Sequence, residues 1–327
     1  MNLIETSGLS CRFRKLEAVS GLDLAVPAGS VFALLGPNGA GKTTTIKLLL
    51  NLLSPSAGSA RVFGVDSRRL GPREFAQIGY VSENLTLPAW MTVGQFNDYC
   101  RPFHEKWDRD LEKTLMAKFE LPADRQLKHL SRGMKMKALL LSALAHRPTL
   151  LVLDEPFSGL DPVVRDDFIR GVLEVSALGD WTVFLSSHDI EEVERLADHI
   201  AFLDHGRLQL SEPLDSLQNR FRRLEISRPA PSPQPETRNS NPSSIAASNS
   251  GLPAPRSALS SFPPSWLNLE ESGSLVRFIE TRYVPGETER RCLELFPGAT
   301  VSAQPLPLRD IYLTLARSSR VLTGVAS

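Results

Sequence analysis

Cysteine is scarce, with 3 residues in 327, at Cys11, Cys100 and Cys292. An odd number so widely spaced excludes a disulfide framework and a Cys-x-x-Cys metal site, and predicts three reduced thiols. Net charge is missing too: Lys+Arg 37 balance Asp+Glu 37. That balance removes any general electrostatic reason to expect nucleic acid or an anionic surface as a partner. No apolar run approaches the roughly 20 residues that a membrane-spanning helix needs. The opening Met1-Asn2-Leu3-Ile4-Glu5 lacks the basic segment and apolar core of a secretory signal. The expectation is a cytoplasmic chain, peripheral at a membrane only through a partner. With 42% hydrophobic residues, a substantial core is available to one large domain or two smaller ones.

Against these absences stands one dense motif. Gly36-Pro37-Asn38-Gly39-Ala40-Gly41-Lys42-Thr43-Thr44 fits the phosphate-loop pattern G-x-x-x-x-G-K-[ST]. The apolar run Val31-Phe32-Ala33-Leu34-Leu35 precedes it and the helical Ile46-Lys47-Leu48-Leu49-Leu50 follows, so the context is strand, glycine loop, helix. Glycines let the backbone curl around an anion, aiming N–H groups and the positive helix end at phosphates. Lys42 then reaches the β- and γ-phosphates, the Thr43 hydroxyl ligates Mg²⁺, and Thr44 adds a phosphate contact. Alone, this motif says only that a nucleotide binds.

Residues 3 to 35 read as short β-segments, with Gly21 to Pro27 as one half-buried strand; Ser59 to Asp66 reads as another. Phe13 lies where its ring stacks on a base or simply joins the core. Ile78 to Asn84 is an apolar strand that includes the carboxylate of Glu83. Residues from about 85 to 146 have helical periodicity interrupted by Pro88, Pro102 and Pro122, the pattern of an inserted helical lobe. Within it, Ser131 caps the helix bearing Leu139, Leu140, Leu141 and Leu144, either routinely or as an anion site. Leu150-Leu151-Val152-Leu153 then stops at Asp154-Glu155. Adjacent acids at the carboxyl end of a buried strand are costly unless they meet a cation or do chemistry, and ligands of open α/β sheets bind at that end. Val183-Phe184-Leu185 leads likewise to Ser186-Ser187-His188.

This ordered set resembles the ATP-binding subunit of an ATP-binding-cassette transporter over roughly residues 1 to 217. Gly36 to Thr44 is similar to the family's Walker A loop, Leu150 to Glu155 to its Walker B strand, Leu130 to Met134 to its signature motif, and Ser158 to Asp161 to its D-loop. The resemblance implies a phosphate-loop NTPase α/β cassette with an antiparallel β subdomain and an inserted helical lobe. It implies ATP and Mg²⁺ as cofactors, with Phe13 stacking on adenine, and Gly36, Pro37, Asn38, Gly39, Ala40, Gly41, Lys42, Thr43 and Thr44 cradling the phosphates. Thr43, Glu83 and Asp154 would serve the metal, Glu155 the attacking water, and His188 the γ-phosphate. Two subunits would close head to tail, so that Ser131 and Gly133 act on the partner's nucleotide and Asp161 crosses the interface. The implied partners are a separate integral membrane permease and a second copy or a paralogous cassette; no nucleic acid is expected.

Two motifs depart from the family's usual form: Glu83 stands where glutamine is common, and Leu-Ser-Arg-Gly-Met replaces L-S-G-G-Q. The expectation is still a working ATPase of the exporter branch. The alternatives are a cassette acting outside transport, or a nucleotide-sensing subunit with weak turnover. The remainder, 218 to 327, reads as a small α/β appendage interrupted by a flexible Pro/Ser-rich linker at about 228 to 265. Its expected elements are strands around Leu224-Glu225-Ile226, Ser274 to Glu280 and Ala299 to Ala303, with helices at Glu287 to Leu295 and from Leu308.

Overall fold

A computed structural model describes residues 1–176, 181–228 and 262–323, with side chains for slightly fewer. The sequence-predicted Pro/Ser linker thus falls almost wholly outside the described residues. The chain divides into two compact units, Met1–Asp215 and Ser216–Ser327.

In the first unit, β1 (Asn2–Phe13), β2 (Leu16–Leu22) and β3 (Ala25–Pro27) precede β4 (Val31–Leu35), and α1 (Lys42–Leu49) follows the phosphate loop. Next come β5 (Ala57–Val62), β6 (Val65–Asp66), the short α2 (Pro72–Phe75) and β7 (Ile78–Ser82). Two expected strands are each divided. Gly21 to Pro27 breaks between Leu22 and Ala25, where Thr6 Oγ1 accepts from the Leu24 N–H. Ser59 to Asp66 folds back as the β5–β6 hairpin, because Phe63 and Gly64 adopt φ of 54° and 76°. Positive φ at consecutive residues is a turn conformation that no strand continues through. Helices α3 (Val93–Cys100), α4 (Arg109–Lys118) and α5 (Arg132–Leu144) fill the following stretch. Each begins at a residue whose side-chain oxygen accepts from the first turn: Thr92, Asp108 and Ser131.

After these come β8 (Leu150–Asp154), α6 (Pro162–Ser176), β9 (Thr182–Ser187), α7 (Ile190–Glu194), β10 (His199–Asp204) and β11 (Arg207–Pro213). Six strands form one sheet in the order β11-β10-β4-β9-β8-β7, parallel except for the β11 edge. Every residue of β4, β8 and β9 is buried. Coverage of both faces of a parallel sheet explains why these strands read as unbroken apolar runs rather than alternating ones. A second, antiparallel sheet, β2-β1-β5-β6 with β3 on β1, mixes buried and exposed positions instead.

Register places the chemistry. Leu35 lies beside Ser187, Asp154 beside Ser186, and Ser82 beside Asp154. Four strands therefore end in line, and the phosphate loop, Glu83, Glu155 and His188 emerge from one sheet edge. Among the described residues no helix is long and apolar enough to cross a membrane.

The second unit opens with the rest of α8 (Leu214–Arg220) and contains β12 (Arg222–Ser227), β13 (Trp266–Ser272), β14 (Leu275–Glu280), α9 (Glu287–Leu295), β15 (Thr300–Pro305) and α10 (Leu308–Thr323). Its antiparallel sheet runs β13-β14-β12-β15. Leu224, Ile226, Trp266, Val276, Phe278 and Cys292 form the core, with the Trp266 and Phe278 rings stacked at 3.9 Å. Strand β13 escaped the sequence reading because a register shift between Leu267 and Glu270, with Asn268 at φ 51°, breaks its alternation.

Candidate functional site

The phosphate loop begins where β4 ends. Gly41, at φ 105°, caps α1 with no side-chain hydrogen bond, so the first N–H groups of the helix are left for another acceptor. A Cβ at Gly41 would lie 2.3 Å from the Ala18 carbonyl oxygen, so backbone packing as well as conformation demands glycine there.

Lys42 is only 5% exposed, and a buried ammonium needs all its donors occupied. It donates to the Gly36 and Pro37 carbonyls at 2.7 and 3.1 Å and pairs with Glu155 Oε1 at 2.8 Å. The other Glu155 oxygen lies 2.7 Å from His188 Nδ1. One carboxylate thus joins the phosphate-loop lysine to the histidine after β9. Glu155 adopts φ 50°, unfavourable for a residue with a side chain. The Ser186 carbonyl and hydroxyl hold it there by accepting from its N–H at 3.2 and 3.1 Å.

Asp154 is 1% exposed. It accepts from Thr43 Oγ1 at 3.0 Å and Ser186 Oγ at 2.7 Å on one oxygen, and from Ser82 Oγ at 3.5 Å on the other. Three hydroxyls around one carboxylate make an oxygen-only donor set. That chemistry fits a hard divalent cation bound by one or two carboxylates together with a phosphorylated substrate.

A groove of about 440 Å³ runs over this edge, and Phe13, Asn38, Gly39, Lys42, Thr43 and Thr44 are among its lining residues, as are Gly41, Glu83 and Glu155. Phe13 is 45% exposed and, at the end of the β1–β2 hairpin, pairs with the exposed Leu16. An aromatic on a hairpin tip beside a groove is a ring face on offer, not a core residue. Leu16, Glu17, Ala18 and His205 also line the groove, and sequence reasoning missed them. The Asp204-His205-Gly206 turn carries no recognisable motif; only the β10–β11 hairpin brings it to the loop, where the Gly206 N–H donates to Ala40 O.

Among the other expected site residues, Gly36 and Pro37 act through the carbonyls that hold Lys42, and Ala40 is buried. Ser131, Gly133 and Asp161 stand outside the groove at helix starts. Ser131 caps α5, Asp161 Oδ1 accepts from the Val164 N–H at 3.0 Å, and Gly133 packs so close to Val164 that a Cβ would meet its Cγ1 at 2.4 Å. Glu83 lies within reach of Arg132, Nη2 to Oε2 2.8 Å. Beyond His188, Arg165 pairs with both Asp189 and the buried Glu192, at 3.2 and 2.7 Å. Burial, and then the neighbouring Asp189 charge, push the Glu192 carboxyl up to about 7.

Residues 19–158 match the family described as ABC transporter. The daunorubicin/doxorubicin resistance ATP-binding protein DrrA of Streptomyces peucetius is 40% identical over 63% of this chain and 63% of its own length. The chain therefore spans less than two thirds of that relative. The bacitracin transport ATP-binding protein BcrA of Bacillus licheniformis is 32% identical over 68% of this chain and 73% of its own. Among solved structures, an ATP-binding subunit of an ABC transporter superposes with a TM-score of 0.60 at 28% identity, covering 66% of this chain and 92% of that one. The fold is shared with an ATP-binding cassette in its ADP conformation, with a TM-score of 0.57 at 24% identity over 66% of this chain and 92% of the other.

Proposed function

This chain belongs to the family of ABC transporter ATP-binding proteins, and from that premise we propose that it is an ATP-hydrolysing subunit powering a membrane exporter. The observation that carries the reading is the line Lys42–Glu155–His188 along one sheet edge, beside an uncapped helix start and a groove with an exposed aromatic at its rim.

Phe13 stacks on adenine, and the phosphate loop takes the triphosphate. Phosphate oxygens replace the Glu155 carboxylate as the partner of Lys42, which frees Glu155 to accept a proton from a water. As the water oxygen attacks the γ-phosphorus, the β,γ-bridging P–O bond breaks and ADP leaves with the bonding pair; His188, already held by Glu155, steadies the γ-phosphate. Most of the rate comes from positioning and charge neutralisation. Thr43 and Asp154, with Glu83 at the rim, would hold Mg²⁺, whose contribution is to neutralise phosphate charge.

Ser131, Gly133 and Asp161 face a second copy or a paralogous cassette, each completing the other's site. ATP binding closes that dimer, and product release reopens it. The permease docks on the helical region, where Leu85, Trp90, Tyr99 and Phe103 are exposed. Of these, Tyr99 and Phe103 meet edge to face at 5.5 Å, and exposed apolar patches mark interaction surfaces. The chain works at the cytoplasmic face of the membrane, and the export reading is supported by relatives named for drug resistance and bacitracin transport.

The test is ATP hydrolysis by the purified chain beside Lys42→Ala, with capture of a polytopic membrane protein from its own cells. Lys42→Ala should lower turnover about 100-fold or more. Hydrolysis indifferent to that change, or no membrane partner, would refute the corresponding half of the proposal.

A further inference from the structure

Two residues that depart from the family's usual motifs, Glu83 and Arg132, lie 49 positions apart in sequence and touch in space. Arg132 Nη2 donates to Glu83 Oε2 at 2.8 Å. Arg132 is the first residue of α5, where a cation opposes the helix dipole, and the first turn of that helix holds no acidic residue to offset it. Its guanidinium also needs space. Gly159, at φ 65°, provides it, since a Cβ there would sit 2.6 Å from Arg132 Nη1. Glu83, for its part, lines the nucleotide groove, and its N–H donates to the Asp154 carbonyl at 3.3 Å. An unpaired carboxylate at that place would repel a triphosphate.

We propose that Arg132 is a positioning residue that holds and neutralises the Glu83 carboxylate, the two residues forming one reciprocal charge pair between the start of α5 and the end of β7. The pair lets a glutamate stand at the groove without opposing the nucleotide's charge, and it ties the helical region to the strand edge that carries Asp154. This inference rests on the groove being an ATP site. It differs from a role in which Arg132 touches nucleotide or a second copy directly, because only the pairing makes the effect of Arg132 depend on Glu83.

The experiment uses the full chain and four proteins: the parent, Arg132→Gly, Glu83→Gln and the double variant. Binding of fluorescent trinitrophenyl-ATP is measured with EDTA and with Mg²⁺, alongside KM and kcat for ATP and a thermal melt of each protein. Arg132→Gly should weaken metal-free nucleotide binding about fivefold or more, a coupling of about 1 kcal/mol, and Mg²⁺ should reduce that loss. KM should rise more than kcat falls. In the Glu83→Gln background the same Arg132→Gly change should alter metal-free binding by less than about twofold, and Arg132→Lys should recover part of the loss. An equal loss from Arg132→Gly with glutamate or glutamine at position 83 would overturn the pairing, as would no loss in either background. A parent that binds neither form of the nucleotide would overturn the proposed function and this inference together.

Discussion

Replacing Glu155 with glutamine tests the centre of the site, because the side chain keeps its shape and loses only its charge. In the parent, one carboxylate oxygen meets Lys42 Nζ at 2.8 Å and the other His188 Nδ1 at 2.7 Å. An amide offers one acceptor and one donor group. Facing Lys42 with its oxygen, it presents its NH₂ to His188 Nδ1, an arrangement that works only when that nitrogen is unprotonated. The Lys42 contact falls from an ion pair to a bond from an ammonium to a neutral oxygen, and the His188 contact becomes a neutral hydrogen bond, a loss of about 1 to 1.5 kcal/mol each. Lys42 keeps the Gly36 and Pro37 carbonyls, so the buried ammonium is not abandoned. The expected loss of stability is about 1–3 kcal/mol, several degrees in melting temperature for a unit of this size. Turnover should fall far more, about 10²- to 10⁴-fold, because the proton acceptor is gone. The assay is steady-state phosphate release, with nucleotide binding and a thermal melt on the same samples. A variant that melts earlier yet hydrolyses ATP within about threefold of the parent would make Glu155 an ion-pair partner and nothing more. The proposed chemistry would then be refuted.

Phe13→Ala should raise KM for ATP about three- to tenfold with little change in kcat, the size of a lost aromatic stacking contact; an unchanged KM removes Phe13 from the base site. Gly41→Ala, forced to φ 105° with its Cβ against the Ala18 carbonyl, should abolish nucleotide binding and lower the melting temperature; equilibrium titration and a melt check both. His146 is buried, stacked on His104 at 3.8 Å, and its imidazole is pushed down to about 4, first by burial and then by His104. Because the unfolded chain binds that proton near 6.5, this contribution is whole above pH 6.5 and is lost as pH falls towards 4, on the order of 3 kcal/mol. Glu192, raised to about 7, acts in the opposite sense, its contribution shrinking as pH rises from about 4.5 to 7. Denaturant melts of the parent and His146→Asn across pH 4 to 7 isolate the histidine term: the variant should lose less stability on acidification, and parallel curves would contradict the assignment.

The phosphate loop, the buried strands ending at Asp154 and Ser187, and the cap at Ser131 were legible in the sequence because each depends on neighbours within a few positions. Glycine conformations, apolar runs and first-turn hydrogen bonds are local physics. The same local reasoning failed where a turn interrupts an apolar stretch, at Phe63-Gly64, and where a bulge spoils alternation, at Asn268. It also passed over His205, which reaches the groove only through a hairpin. The partners of each charge belonged to the tertiary structure alone. Thr43 meets Asp154 across 111 residues, His188 meets Glu155 across 33, and Arg132 meets Glu83 across 49. Those distances follow from the register of parallel strands and the docking of α5, which are set by side-chain packing between segments far apart in the chain. The sequence alone therefore determined which groups can do the chemistry, while packing decided which of them neutralise one another.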